Sequence, residues 1–172
     1  MKKRKANRLK GFDYSKDNLY FVTNCVKNNL CCLGKIVGTG RDLSVQDLSV
    51  RVELNQYGLI VEERINWLMN QYNYVDIHNY VVMPNHFHLI VEIDSQKVKG
   101  FEIKVKSLSS LMGALKTTSS NQIHNAGFED FAWHRSFHDS IIKSDKAYQN
   151  IFNYIDNNPQ KWFEVEFFER TL

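Results

Sequence analysis

Two histidines separated by one residue, His86 and His88, lie inside the apolar stretch Val81-Val82-Met83-Pro84-Asn85-His86-Phe87-His88-Leu89-Ile90-Val91. On a β-strand, residues i and i+2 project to one side, so both imidazoles face the same way while Phe87 turns into a core. Neutral imidazole is a ligand for first-row divalent ions, and polar side chains on an apolar strand need partners to offset their desolvation. The tripeptide alone is weak evidence, because six histidines in 172 residues give this spacing by chance roughly one time in six. A second group is Tyr154-Ile155-Asp156-Asn157-Asn158-Pro159. A tyrosine oxygen can attack phosphorus and hold it as a covalent phosphotyrosine. Tyr154 and Asn158 are four apart on an expected helix, so they face the same way. The chain has eight tyrosines, so core or rim is the ordinary place for any one of them. An asparagine before proline is ordinarily a cap or a turn residue.

The elements that must position these residues are legible from pattern. Leu19 to Val26 is a short β-rich run, and Leu33 to Val37 and Leu48 to Leu54 read as further strands, with turn residues at Gly38 to Asp42 between them. Asn55 can cap a helix whose apolar positions include Leu59, Ile60, Trp67 and Leu68. Val75 to Met83 and Phe87 to Ile93 form a hairpin cornered at Pro84-Asn85, where a missing N–H is tolerated. Residues 94–106 read as a polar mobile loop, Ser107 to Ile123 as a second helix, and Ser136 to Ile142 as a strand. Asp145 to Asn157 reads as a third helix that Pro159 ends. Interspersed helices and strands with one hairpin predict an α+β fold, a mostly antiparallel sheet with helices packed on it, ferredoxin-like in first choice.

Composition sets wider bounds. The chain is long enough for one domain with its own core, 43% apolar and 13% aromatic. Residues 1–12 read as a flexible basic arm and 13–172 as a single domain. The arm holds Lys2, Lys3, Arg4, Lys5, Arg8 and Lys10; it suits phosphate neutralisation and a solubilising tail equally well. Net charge is +3, which points only mildly to an anionic partner. Cys25, Cys31 and Cys32 form neither a disulfide framework nor a zinc motif, and no apolar leader or membrane-length run is present. The expectation is a soluble cytoplasmic protein with reduced thiols.

Taken together, Met83-Pro84-Asn85-His86-Phe87-His88, then Trp133-His134-Arg135-Ser136-Phe137, then Tyr154-Ile155-Asp156-Asn157-Asn158-Pro159 resemble the HUH single-tyrosine transposases, and within them the REP-associated tyrosine transposases. The stretch Asp13-Tyr14 through Leu19-Tyr20-Phe21-Val22-Thr23 is similar as well, so the resemblance runs from about Asp13 to Trp162. It implies His86 and His88 as ligands of a divalent metal, Mg2+ or Mn2+, with Asn158 completing the site. It implies Tyr154 as the nucleophile, joined to the 5′ phosphate of a cut single strand and leaving a free 3′ hydroxyl. It implies a ferredoxin-like sheet and a single-stranded, hairpin-bearing DNA partner. Arg135, Lys116, Lys143 and Arg8 are the candidates for gripping that DNA. Trp133 and Phe137 offer faces for base stacking, with core packing as the alternative.

Two departures from the family pattern stand out. His134 follows the tryptophan where relatives often have glutamine, and Ser140 stands where they often have histidine, while His138 lies two residues earlier on the same strand face. Two other readings compete with strand transfer: a non-catalytic binder of single-stranded or hairpin DNA on the same fold, and a metal-dependent hydrolase that uses water while Tyr154 is structural. A homodimer is also compatible with the resemblance, because the nucleophile helix can act within its own chain or be swapped between subunits.

Overall fold

The computed structural model describes residues 17–38 and 50–169, with side chains described as far as Glu164. The basic arm with Arg8 therefore lies outside the described residues, as do most of the turn after Gly38 and the start of the expected strand at Leu48.

The core unit is a four-stranded antiparallel sheet. Its strands are β1 (Asn18–Cys25), β4 (Val75–Met83), β5 (His86–Ile93) and β6 (His138–Ile142), in spatial order β4-β5-β1-β6. With the helices α1 (Gln56–Gln71) and α2 (Leu108–Asn125) the chain runs β1-α1-β4-β5-α2-β6. That is the βαββαβ unit of ferredoxin-like folds. A small hairpin of β2 (Gly34–Val37) and β3 (Arg51–Leu54) is inserted before α1 and forms its own two-stranded sheet. Two helices follow β6: α3 (Asp145–Asp156) and α4 (Asn158–Glu169).

Period-two alternation sorts the sheet into two faces. Tyr20, Val22, Phe87, Leu89, Val91 and Ile93 are fully buried and pack with Val61, Ile65 and Leu68 of α1 and Leu108, Leu111 and Leu115 of α2. The opposite face carries Leu19, Phe21 and Ile90, covered by Ala147, Tyr148, Ile151, Phe152 and Ile155 of α3. β5 lies between β4 and β1 under helices on both sides, so even its polar positions are largely buried.

Helix α1 begins as its sequence predicts: the Asn55 side chain accepts from the N–H groups of Tyr57 and Gly58. Gly58 meets the backbone closely there, since a Cβ would stand 2.0 Å from the Leu33 carbonyl oxygen. Four expectations need correction. Strand β6 starts at His138, not Ser136. Residues 94–106 are not a uniform loop, because Asp94 caps a short 3-10 turn over Ser95–Val98 that buries Val98. The third helix stops at Asp156, and Tyr154 and Asn158 lie on different helices. Pro159 does not end a helix but sits in the first turn of α4, where its missing N–H has no intrahelical acceptor to lose.

Candidate functional site

The site forms where β5, β1, α3 and α4 meet. His86 and His88 point to the α3 side of the sheet, as their i, i+2 spacing predicts, and are only 9% and 5% exposed. Their Nε2 atoms converge to 3.1 Å. Each ring is held through its other nitrogen. Asn85 Oδ1 lies 2.6 Å from His86 Nδ1, and the same amide donates through Nδ2 to the Asn29 carbonyl at 3.2 Å. That donation orients the amide oxygen toward His86, so Nδ1 carries the proton and Nε2 keeps a lone pair. His88 Nδ1 lies 2.7 Å from Thr23 Oγ1. A hydroxyl can donate or accept, so Thr23 serves either tautomer of His88, including the one with a free Nε2 lone pair.

These ring partners come from the fold. Thr23 faces His88 directly across the β1–β5 ladder, and Cys25 faces His86. Burial pushes the Cys25 thiol up, so it keeps its proton beside the pair. His138 pairs with Thr23 from β6 and shares this face, but it is exposed at the sheet edge.

Tyr154 projects from α3 toward the same place. Its hydroxyl is 3.4 Å from His88 Nε2, and its ring packs at 5.2 Å against His88 and edge-on at 6.0 Å against Phe21. Phe21 stacks on His88 in turn, at 5.3 Å. The last turn of α3 is pinned by Asn79, whose Nδ2 donates to the Phe152 carbonyl at 3.3 Å and to Asp156 Oδ1 at 2.8 Å. A β-bulge between Ile77 and Asn79 adjusts the register just before this residue. Tyr154 stays 37% exposed, so part of its side chain faces solvent. It meets His88 of its own chain.

Helix α4 supplies the remainder. Trp162 packs against the His86 ring at 5.6 Å, and Lys161 places its ammonium over the Tyr154 ring at 5.2 Å from the centroid. Asn158, one turn before Trp162, is 7% exposed.

This donor set suits a divalent ion. Two Nε2 atoms 3.1 Å apart span neighbouring positions around one ion at bond lengths of about 2.1 Å. Among the described residues no third histidine, cysteine or carboxylate joins them, and the third protein donor that the family resemblance implies would be Asn158 of α4. Burial holds His86 down to about 4 and His88 down to about 3, the latter with help from the neighbouring His86. Both rings are therefore neutral near pH 7, as ligation requires.

The same shifts have a stability consequence. Both histidines titrate near 6.5 when unfolded, so below that pH the unfolded chain binds more protons and stability falls. The contribution is complete above about pH 6.5 and is lost as pH drops toward the folded values, by up to about 1.4 kcal/mol per pH unit for each ring. Urea midpoints of metal-free protein should fall between pH 7 and pH 5, and the fall should shrink in a His86→Gln, His88→Gln double variant. Equal pH dependence in both proteins would contradict the burial argument.

The candidates for gripping DNA separate. Arg135 and Lys143 are exposed. Lys116 is engaged within the fold: its Nζ donates to the carbonyls of His134 and Arg135 at 2.7 and 3.1 Å, and burial lowers its pKa. Trp133 and Phe137 are core residues, each 7% exposed, and Trp133 Nε1 donates to Ser119 Oγ at 3.0 Å. Sequence reasoning missed Thr23, Asn85, Lys161 and Trp162 as parts of the site. Only Asn85, adjacent to His86, carried a local signal.

A ferredoxin-like sheet presenting a histidine pair to a helix-borne tyrosine is the arrangement expected of a transposase of the HUH single-tyrosine class. The chain belongs to the IS200-like transposase family, whose model matches residues 59–158. It is 28% identical over 174 residues to an uncharacterized protein of Haemophilus influenzae, covering 92% of this chain and 89% of that one. Among solved structures, the fold is similar to a REP-associated tyrosine transposase bound to a REP hairpin, with a TM-score of 0.57 at 19% identity, over 90% of this chain and 73% of that chain. It is also similar to a candidate transposase of Deinococcus radiodurans, with a TM-score of 0.51 at 16% identity, over 87% and 97% of the two chains. No helix among the described residues is long and apolar enough to cross a membrane.

Proposed function

We propose that this transposase-family protein cuts single-stranded DNA beside a hairpin, with Tyr154 as nucleophile, and becomes joined to the 5′ phosphate of the cut strand. The observation that carries the reading is the convergence of three side chains from two distant parts of the chain: the Nε2 atoms of His86 and His88, and the Tyr154 hydroxyl 3.4 Å from the second of them. A hairpin substrate is suggested by the structural relative that was solved with one.

Each residue has a task. Asn85 fixes the His86 ring with its Nε2 lone pair toward the site, and Thr23 holds the His88 ring in place while permitting the same tautomer, which saves reorganisation during reaction. A divalent ion held by His86, His88 and Asn158, Mg2+ or Mn2+, would neutralise phosphate charge and polarise the phosphorus. Phe21 and His88 hold the Tyr154 ring so that its hydroxyl meets a phosphate brought to the histidine side of the sheet. Exposed Arg135 and Lys143 are placed to contact backbone phosphates, with Arg8 of the arm as a further candidate. Lys116 contributes indirectly, by bracing the segment that carries Arg135.

The test uses a labelled pool of DNA hairpins with randomised single-stranded flanks, incubated with the chain and Mn2+. A covalent protein–DNA adduct that chelator prevents is the expected result. Retention of hairpins without cleavage would identify a binding protein instead, and cleavage without adduct would identify a hydrolase. Thr23→Val keeps the shape but removes the hydroxyl beside His88 Nδ1. We expect it to raise the Mn2+ concentration needed for half-maximal cleavage by about 10–100-fold; an unchanged Mn2+ requirement would remove Thr23 from the account.

A further inference from the structure

Lys161 stands over the ring of Tyr154, and its neighbour Trp162 packs on His86. One turn of α4 thus touches both the proposed nucleophile and the histidine pair. The Lys161 ammonium forms no ion pair among the described residues. Nearby carboxylates are engaged elsewhere: Glu164 receives Gln160 Nε2 at 3.0 Å, and Asp156 receives Asn79. With no carboxylate partner among the described residues, this cation lies over the ring of an exposed tyrosine, poised for an anion that arrives with the substrate.

We propose that Lys161 is a catalytic residue whose ammonium grips a non-bridging oxygen of the scissile phosphate as Tyr154 attacks; this rests on the reading of Tyr154 as nucleophile. A phosphate in position for attack lies about 3–3.5 Å from the Tyr154 oxygen. The flexible four-carbon stem of lysine lets the ammonium follow from the ring face onto the phosphate oxygens. In the step, the Tyr154 O–P bond forms and the P–O3′ bond breaks. The phenolic proton passes to water, and the departing 3′ oxygen takes a proton from water. The diester and the phosphotyrosine product each carry one negative charge. Charge on the phosphoryl oxygens is redistributed between them, and a cation already in place stabilises that passage without reorganising.

The experiment uses the full chain, Mn2+ and a hairpin selected from the randomised pool. It is synthesised with either an ordinary phosphate or an uncharged methylphosphonate at the cut position. With the phosphate, Lys161→Met should slow adduct formation at saturating DNA by about 10²–10³-fold, change DNA affinity by less than about 3-fold, and be partly rescued by Lys161→Arg. With the methylphosphonate, where the charge that Lys161 meets is gone, wild type and Lys161→Met should react within about 3-fold of each other. Equal slowing on both substrates would make Lys161 a mere support for the Tyr154 ring and overturn the proposal, as would undiminished reaction of Lys161→Met on the phosphate. A wild-type chain that forms no adduct overturns the nucleophile reading and this proposal together, so the two failures are distinguishable.

Discussion

Tyr154→Phe is expected to abolish the covalent adduct and to cut strand cleavage by at least about 10⁴-fold, because removing the atom that attacks leaves only whatever water can do in its place. The substitution deletes one oxygen from a side chain whose ring is held by packing. Contacts of the ring with His88 at 5.2 Å and Phe21 at 6.0 Å remain. The lost hydrogen bond to His88 is long, 3.4 Å, so stability should change by less than about 1 kcal/mol. Hairpin binding should be unaltered. Loss of activity with intact folding and binding therefore reports on chemistry. Cleavage that persists at an appreciable rate in Tyr154→Phe would mean that water or another side chain is the nucleophile.

The second large effect is expected from His86→Ala. Two neutral imidazoles converge at 3.1 Å, so removing one leaves a single imidazole of the pair to hold an ion. Cleavage should fall by about 10³-fold or more, the several kcal/mol that phosphate neutralisation supplies. DNA affinity measured in chelator should change by less than about 3-fold, since phosphate contacts fall to basic side chains elsewhere. His86 is buried under Trp162 and the deletion opens a cavity there, so the melting temperature must be followed in parallel. His86→Gln, closer in volume, gives the same test with less disturbance. Undiminished cleavage in both variants would dismiss the histidine pair as the metal site.

Much of this arrangement was legible in the chain itself. The strand period placed His86 and His88 on one face and Phe87 in the opposite core, and both placements match the structure. The β4–β5 hairpin, the Asn55 cap and the course of α1 and α2 follow from turn chemistry, capping and helical spacing. Partners brought in by non-local pairing were not legible. Thr23 reaches His88 across 65 positions of sequence through the β1–β5 ladder, and nothing in the local pattern of either strand announces the register. Helix α4 was hidden because proline both terminates helices and opens them. The break between the two helices is a single residue, Asn157. Lys161 and Trp162 went unseen with that helix. Trp133 and Phe137 show a different limit: residue type leaves base stacking and core packing open, and burial, a property of the assembled layers, places both in the core. Tyr154, one of eight tyrosines, stood out by family resemblance, and the fold then brought it beside His88.

The claim at the centre is that Tyr154 attacks phosphorus and retains the 5′ side of the cut strand. Proteolysis of the Mn2+-dependent adduct, followed by mass spectrometry of the nucleotide-bearing peptide, tests it most directly. The expected result is a single modified peptide, with the phosphate of the downstream DNA fragment on the Tyr154 oxygen and a free 3′ hydroxyl on the upstream fragment. A modified residue other than Tyr154, a 3′-phosphoryl linkage, or cut DNA with no modified peptide would contradict it.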